Sequence, residues 1–439
     1  MYLRLFLIAF IALLFNNLTQ ASESSKKLDA NEIISNADER IEKIRKEDVV
    51  IKVIYDGKPA PEALVEVEQI SHEFLFGSNI FMWGNMGNEN LEKAYRDQFA
   101  ALFNYATLPF YWWSYEPEKR KPQHTNALEV AKWCHRHGIT TKGHPLLWNH
   151  NDPKWLPDDL DEIRILQMER ISDCVTRFKG IIDIWDVVNE ASDFERLKEK
   201  RLTKAWLKAG RMPFCIEAFK TARAGNPKAV LLINDYKLDE KYEDVLKSLV
   251  DEKGNPLYSI IGIQSHMHSG VWKTEKIWDV CERFSKFGVP LHFTEVTILS
   301  GEPGWNREKP WNSTEEGEKY QAENVKRFYT VLFSHPAVEA ITWWDFCDKG
   351  SWMGAPAGFI RADGTPKPAY NVLLKLIKGK WWTKTQGKTD ENGKFKFRGF
   401  RGKYRVKVYY AYQIITKEIT ISKTAKNEFA ITVPVNIDH

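Results

Sequence analysis

Eight short apolar runs, most of them followed by a helix-patterned stretch, lie between residues 75 and 346 of this 439-residue chain. They predict an α/β fold, a (β/α)8 TIM barrel, because eight strand–helix units in roughly 300 residues is the arithmetic of that architecture. The runs are LFGSNI (75–80), YATLPFYW (105–112), TTKGHPLLW (140–148), IIDIWDVVNE (181–190), AVLLINDY (229–236), IIGIQSH (260–266), PLHFTE (290–295) and AITWWDF (340–346). They are apolar on both faces, as strands covered by helices must be. A doubly wound open sheet is the alternative, but no Gly-rich phosphate loop follows any run. After Trp381-Trp382 the composition shifts to short alternating strands, which predicts a small accessory β-sandwich.

Residues 1–21 pair a short cationic start with an apolar run too short to span a bilayer and read as a secretory signal peptide. No Cys follows that run, so no lipoprotein anchor is expected. In 22–48, Ile33, Ile34, Ala37, Ile41 and Ile44 recur at helical spacing and predict an N-terminal packing helix. Residues 49–55 and 64–69 alternate like strands about Asp56-Gly57-Lys58-Pro59, and 49–72 are assigned as the first strands of the sandwich. The barrel is placed at 73–380, with helical patterns at 127–137, 163–178, 213–224, 240–250, 274–287 and 315–334. The C-terminal segment, 381–439, carries FKFRGF, YRVKVYY and TKEITIS around the turn Asp390-Glu391-Asn392-Gly393. Thr389-Asp390, Gly393, Phe395, Phe397 and the run Gly402-Lys403-Tyr404-Arg405-Val406 resemble the second half of carboxypeptidase-regulatory-like modules, and VVIKVIYDGKPAPEALVEVE resembles the first half. The expectation is one discontinuous sandwich with the barrel inserted between its halves.

A hydrophobic fraction of 43% with 28% charged residues gives a chain able to bury a large core. The formal charge of +4, without a long Lys/Arg run, argues against nucleic acid or an anionic membrane surface as partner. The five Cys (Cys134, Cys174, Cys215, Cys281 and Cys347) include no C-x-x-C pair, so neither a disulfide framework nor a zinc site is expected. Aromatic residues reach 13%, including 17 Trp, enough for some to line a cleft that stacks on sugar rings.

Barrel chemistry belongs at the C-terminal ends of the strands. Glu190 closes the fourth run and Glu295 the seventh, which face across the mouth of an eight-stranded barrel. Two carboxylates about 5–5.5 Å apart give retaining glycoside hydrolysis, one as nucleophile and one as acid/base. Asn189 is expected to orient a carboxylate or meet the sugar 2-OH, while Trp185, Trp344 and Trp352 are candidates for apolar walls. His144, Gln264 and His266 are further polar residues at run ends. A metal reading of His266-x-His268 is set aside because no carboxylate partner stands nearby in sequence. The cluster 195–204 (ERLKEKRLTK) reads as solvated surface rather than a binding patch.

These residues resemble glycoside hydrolase family 10, the retaining endo-β-1,4-xylanases, over most of 70–375. WDVVNEA (185–191) is similar to the acid/base motif and FTEVTI (293–298) to the nucleophile motif, which implies Glu190 as acid/base and Glu295 as nucleophile. KGHPLLWN (142–149) implies His144 and Trp148 at the −1 sugar. INDY (233–236), GIQSH (262–266), WWDFCDKGSW (343–352) and DGTPKPAY (363–370) follow in family order. They imply Gln264 and His266 as partners of nucleophile and sugar, with Trp344 as platform and Trp352 as lid. Two departures stand out. The family's T-A-E-N-x-M-K-W stretch, whose Glu, Asn and Lys bind the −2 xylose, is here Thr107-Leu108-Pro109-Phe110-Tyr111-Trp112, so aromatic stacking is expected to replace polar selection. The Asp two residues past the nucleophile is Thr297, which is expected to weaken the orientation of His266.

The resemblance implies a secreted or periplasmic retaining endo-glycosidase acting on xylan, needing no cofactor and no metal, with a polysaccharide as its partner and no membrane anchor once the signal is removed. The same chemistry on another β-glycan, or a non-catalytic carbohydrate-binding barrel, are the alternatives.

Overall fold

The computed structural model describes residues 28–305, 308 and 310–435; the signal-peptide reading of 1–21 falls outside them. The N-terminal segment forms two helices rather than one, Ala30–Ser35 and Ala37–Arg45, because Asn36 at φ −93° and ψ 6° interrupts the turn. Asp29 and Glu32 close a capping box at the first. Ile33, Ala37 and Ile41 are buried, whereas Ile34 is exposed.

Three strands follow, β1 (Lys46–Tyr55), β2 (Lys58–Pro59) and β3 (Leu64–His72). Eight more, β4 (Leu75–Asn79), β5 (Tyr105–Pro109), β6 (Thr140–His144), β7 (Ile184–Asn189), β8 (Val230–Asp235), β9 (Ile260–His266), β10 (Leu291–Thr297) and β11 (Val338–Trp343), close into a parallel barrel in chain order. This is the (β/α)8 barrel of the sequence reading. The chain ends in β12 (Lys384–Lys388), β13 (Lys394–Phe400), β14 (Gly402–Tyr410), β15 (Gln413–Ile421) and β16 (Glu428–Val433).

The connecting helices start where side chains satisfy free backbone N–H groups. Asp159 accepts from Asp161 and Glu162 ahead of Leu160–Arg177, and Thr314 accepts from Gly317 ahead of Glu315–Phe333. The barrel wall packs on them through large apolar side chains. Trp185 on β7 is wholly buried, stands over Gly143 and meets Phe110 at 4.8 Å. It therefore belongs to the layer between barrel and helices, and the expectation that it walls the cleft is corrected: strand alternation turns it away from the barrel axis. All five cysteines are buried free thiols.

β1 pairs antiparallel with β13 and parallel with β16, while β3 lies between β12 and β14 in a second sheet that ends on β15. The sheets enclose Val49, Ile51, Val53, Val65, Val67, Tyr404, Val406, Val408, Ile419 and Ile421, every second residue of their strands. Arg45 ties the N-terminal helices to the barrel floor, donating to the carbonyls of Phe333 (2.8 Å), His335 (2.7 Å) and Val338 (2.8 Å). It thus satisfies acceptors at the end of the helix Glu315–Phe333 and in the turn into β11. Among the described residues no helix is long and apolar enough to cross a membrane.

Candidate active site

Glu190 and Glu295 meet at the C-terminal mouth of the barrel because local irregularities aim them there. The β9–β10 register slips between Phe293 and Glu295. A bulge of this kind frees a strand from strict alternation, and Thr294 and Glu295, consecutive residues, both turn to the same asparagine. Thr294 Oγ1 donates to Asn234 Oδ1 (2.5 Å) and Asn234 Nδ2 donates to Glu295 Oε1 (2.6 Å). Glu190 follows β7 in the left-handed region, φ 62° and ψ 40°, a conformation that costs a non-glycine residue about 1–3 kcal/mol. Its N–H is anchored on the Asn234 carbonyl (2.8 Å).

Three amides connect the carboxyl groups. Asn189 Oδ1 accepts from Asn234 Nδ2 (2.8 Å) and from Gln264 Nε2 (3.2 Å), and Gln264 Nε2 also reaches Glu190 Oε1 (3.2 Å). Gly262 makes the junction possible: a Cβ there would stand 2.5 Å from Asn234 Oδ1. With its oxygen committed, Asn189 keeps its NH2 for other partners.

His266 Nε2 lies 2.9 Å from Glu295 Oε2, and its Nδ1 lies 2.9 Å from Thr297 Oγ1. Thr297 thus holds the ring, and the expectation that it would leave His266 poorly oriented is corrected. Burial pushes His266 down to about 4, so the ring is neutral; donating from Nε2 to an ionised Glu295 then requires the Thr297 hydroxyl to donate to Nδ1. His144 Nε2 stands 4.0 Å from Glu295 Oε1, while its Nδ1 is 2.7 Å from Asp186, which also takes Lys142 Nζ at 2.7 Å. Burial favours the neutral Asp186 carboxyl, but Lys142 and His144 outweigh it and hold the group below its ordinary value. Burial pushes the Glu295 carboxyl up to about 7; the charge of Glu190 adds to the rise, and His144 and Lys142 oppose it.

Around the carboxyls runs a cleft of about 350 Å³ walled by Tyr111, Trp148, Trp272, Trp305, Trp344 and Trp352. Trp344 is buried between the rings of His144 (5.3 Å) and Phe81 (5.4 Å), whereas Trp352 is 42% exposed at the rim. On the other side Tyr111 stacks on Trp113 (4.9 Å), and Trp148 stacks on His150 (4.4 Å) and donates its indole N–H to Glu190 Oε2 (3.0 Å). Of the residues singled out from the sequence, His144, Trp148, Asn189, Glu190, Gln264, His266, Glu295, Trp344 and Trp352 lie at this mouth, and Trp185 does not.

His268 sits two residues past the end of β9, and its ring lies 6.0 Å from His266, with both rings against Trp352, the same side that positions i and i+2 share. Among the described residues no three His, Cys, Asp or Glu side chains gather to hold a metal ion. The cluster 195–204 is not all solvated surface, since the Arg196 guanidinium turns into the cleft and pairs with Glu190 Oε2. Leu202 and Thr203 near its far end are buried. Sequence reasoning also passed over Asn234, Asp186 and Lys142. Lys142 and Asp186 carry a usable signal: charges inside apolar strand runs.

Comparison with known proteins follows the same outline. The profile of "Glycosyl hydrolase family 10" matches residues 68–376. Among curated proteins, the chain is 29% identical over 381 residues to the anti-sigma-I factor RsgI6 of Acetivibrio thermocellus, covering 85% of this chain and 46% of that one. It is 29% identical over 388 residues to endo-1,4-beta-xylanase 1 of Arabidopsis thaliana, covering 84% of this chain and 37% of that protein. The chain thus spans less than half the length of these two relatives. Among solved structures, xylanase 10B of Thermotoga petrophila in complex with xylobiose superposes with a TM-score of 0.60 at 26% identity, covering 70% of this chain and 95% of that one.

Proposed function

This chain belongs to glycosyl hydrolase family 10, and on that premise we propose that it hydrolyses β-1,4-xylosidic bonds within xylan, with retention, outside the cytoplasm. The observation that carries the proposal is the pair Glu190 and Glu295, joined through Asn189, Asn234 and Gln264 at the floor of an aromatic cleft. Glu295, positioned by Asn234 and His266, attacks the anomeric carbon. Glu190 gives its proton to the departing glycosidic oxygen and later takes one from the water that releases the glycosyl-enzyme. Gln264 and Asn189 hold the two groups in register, the free Asn189 NH2 faces the sugar 2-OH, and His144 contacts the −1 sugar. Trp344 supplies its platform and Trp352 its rim.

The stacked Tyr111 and Trp113 occupy the stretch where the family carries its polar −2 residues. Selection there then rests on ring stacking, which discriminates among sugars less sharply than buried hydrogen bonds. Another β-glycan is therefore the nearest competing substrate. A barrel that binds glycan without turnover is the second reading, favoured by one relative being named an anti-sigma factor; two intact carboxylates stand against it.

Reducing-end release from glucuronoxylan, arabinoxylan, mixed-linkage xylan, cellulose and mannan tests all three, with Glu295→Ala as the blank. Turnover confined to the xylans, giving products of retained anomeric configuration by NMR, is expected. Turnover of mannan or cellulose alone moves the substrate, and binding without turnover establishes the second reading.

A further inference from the structure

Glu190 is not free in the substrate-free cleft. Its outward oxygen, Oε2, takes both the Trp148 indole N–H (3.0 Å) and the Arg196 guanidinium. Arg196 lies on the 3-10 segment Ala191–Leu197 directly after β7, so its position follows from that of Glu190 itself. The first step of hydrolysis needs this oxygen turned to the glycosidic oxygen, a place the guanidinium now holds. The charge left on Glu190 also helps keep the proton on Glu295, the group that must lose it.

Arg196 has other donors to offer. Its Nη1 is 3.4 Å from the Tyr236 hydroxyl, its guanidinium lies 5.3 Å over that ring, and its side chain is 31% exposed. Asp193, the nearby acid, is already taken by the Tyr236 hydroxyl and by Lys237 (3.5 Å). Lys200 points to Asn151 (3.1 Å), and His150 stacks on Trp148. Gln264 occupies the other oxygen of Glu190, and Arg196 and Tyr236 line the cleft beside the outward one.

We propose that Arg196 is a positioning and specificity residue that recognises a carboxylate carried by the departing sugar, as on a uronic-acid-substituted chain, and that this exchange frees the outward oxygen of Glu190 to meet the glycosidic oxygen. The planar fork of arginine suits a bidentate carboxylate better than the single Glu190 oxygen it now meets. This rests on the xylan-hydrolase reading and narrows its substrate class.

The test compares kcat/KM for a xylo-oligosaccharide bearing one uronic acid branch with the same oligosaccharide after reduction of the carboxyl to the alcohol. The protein is expected to favour the acid at least tenfold. Arg196→Gln should bring the ratio to about one, and Arg196→Lys, which keeps the charge without the fork, should leave an intermediate ratio. An aryl xyloside with a good leaving group needs no proton from Glu190, so its glycosylation step reports whether the variants are folded and competent. A wild-type ratio of one, or a preference that survives Arg196→Gln, overturns the proposal and leaves Arg196 as charge balance for Glu190. Absence of turnover on every oligosaccharide and on the aryl xyloside instead overturns the xylan-hydrolase reading.

Discussion

Replacing Glu295 by Gln is expected to stabilise the protein above neutral pH while abolishing turnover. Burial raises this carboxyl from 4.5 to about 7. Between those values the native protein holds a proton that the unfolded chain has released, so stability falls as pH rises through the window. Above it, the wild type carries a deficit of about 3 kcal/mol from this one group, at 1.36 kcal/mol for each unit of displacement. The substituted amide cannot ionise and keeps the local bonds. Its carbonyl still accepts from Asn234 Nδ2, and its NH2 donates to His266 Nε2 once the ring proton moves to Nδ1 and is shared with Thr297. Urea unfolding of both proteins at pH 4, 6 and 8 measures the difference, with other titrating groups cancelling between them. The variant should gain about 3 kcal/mol at pH 8, or ~5 °C in Tm for a barrel of this size, and nothing at pH 4. A gain independent of pH, or a loss at pH 8, would refute burial as the origin of the raised carboxyl.

Other consequences follow from the same network. Asn234→Ala removes the donor shared by Asn189 and Glu295, and kcat on xylan should fall about 10- to 100-fold with KM little changed, the loss of one bond to a charged group. Thr297→Asp gives His266 Nδ1 an anionic acceptor and favours the doubly protonated ring. A cation beside Glu295 stabilises its carboxylate, so the acid limb of kcat/KM, expected near 7 in the wild type, should move to lower pH; a limb that stays put or rises would exclude His266 as the route. Arg45→Met leaves three carbonyls at the barrel floor without their donor, and thermal unfolding should show a loss of about 3 kcal/mol or more, with activity at low temperature retained.

Much of the architecture was legible because strand count and apolar character are local properties. Eight runs, their helical spacers and the two acids ending the fourth and seventh runs are visible to anyone reading residues in order, and closure of the barrel then puts those acids at one mouth. Side-chain facing is not local in the same way. Trp185 and Asp186 are consecutive, yet one packs behind the barrel wall and the other buries its charge against Lys142 inside it. Thr294 and Glu295 are also consecutive, yet a slipped register sends both to Asn234.

Residue type and spacing along the chain suffice for the fold class, the candidate acids and the aromatic wealth of the cleft. They do not suffice for Thr297 holding His266, for Asn234 joining the two carboxyls through Asn189, or for Arg196, in a stretch resembling solvated surface, sitting on Glu190. Those outcomes depend on angles and distances between strands far apart in sequence, and a change of one residue in register reverses them.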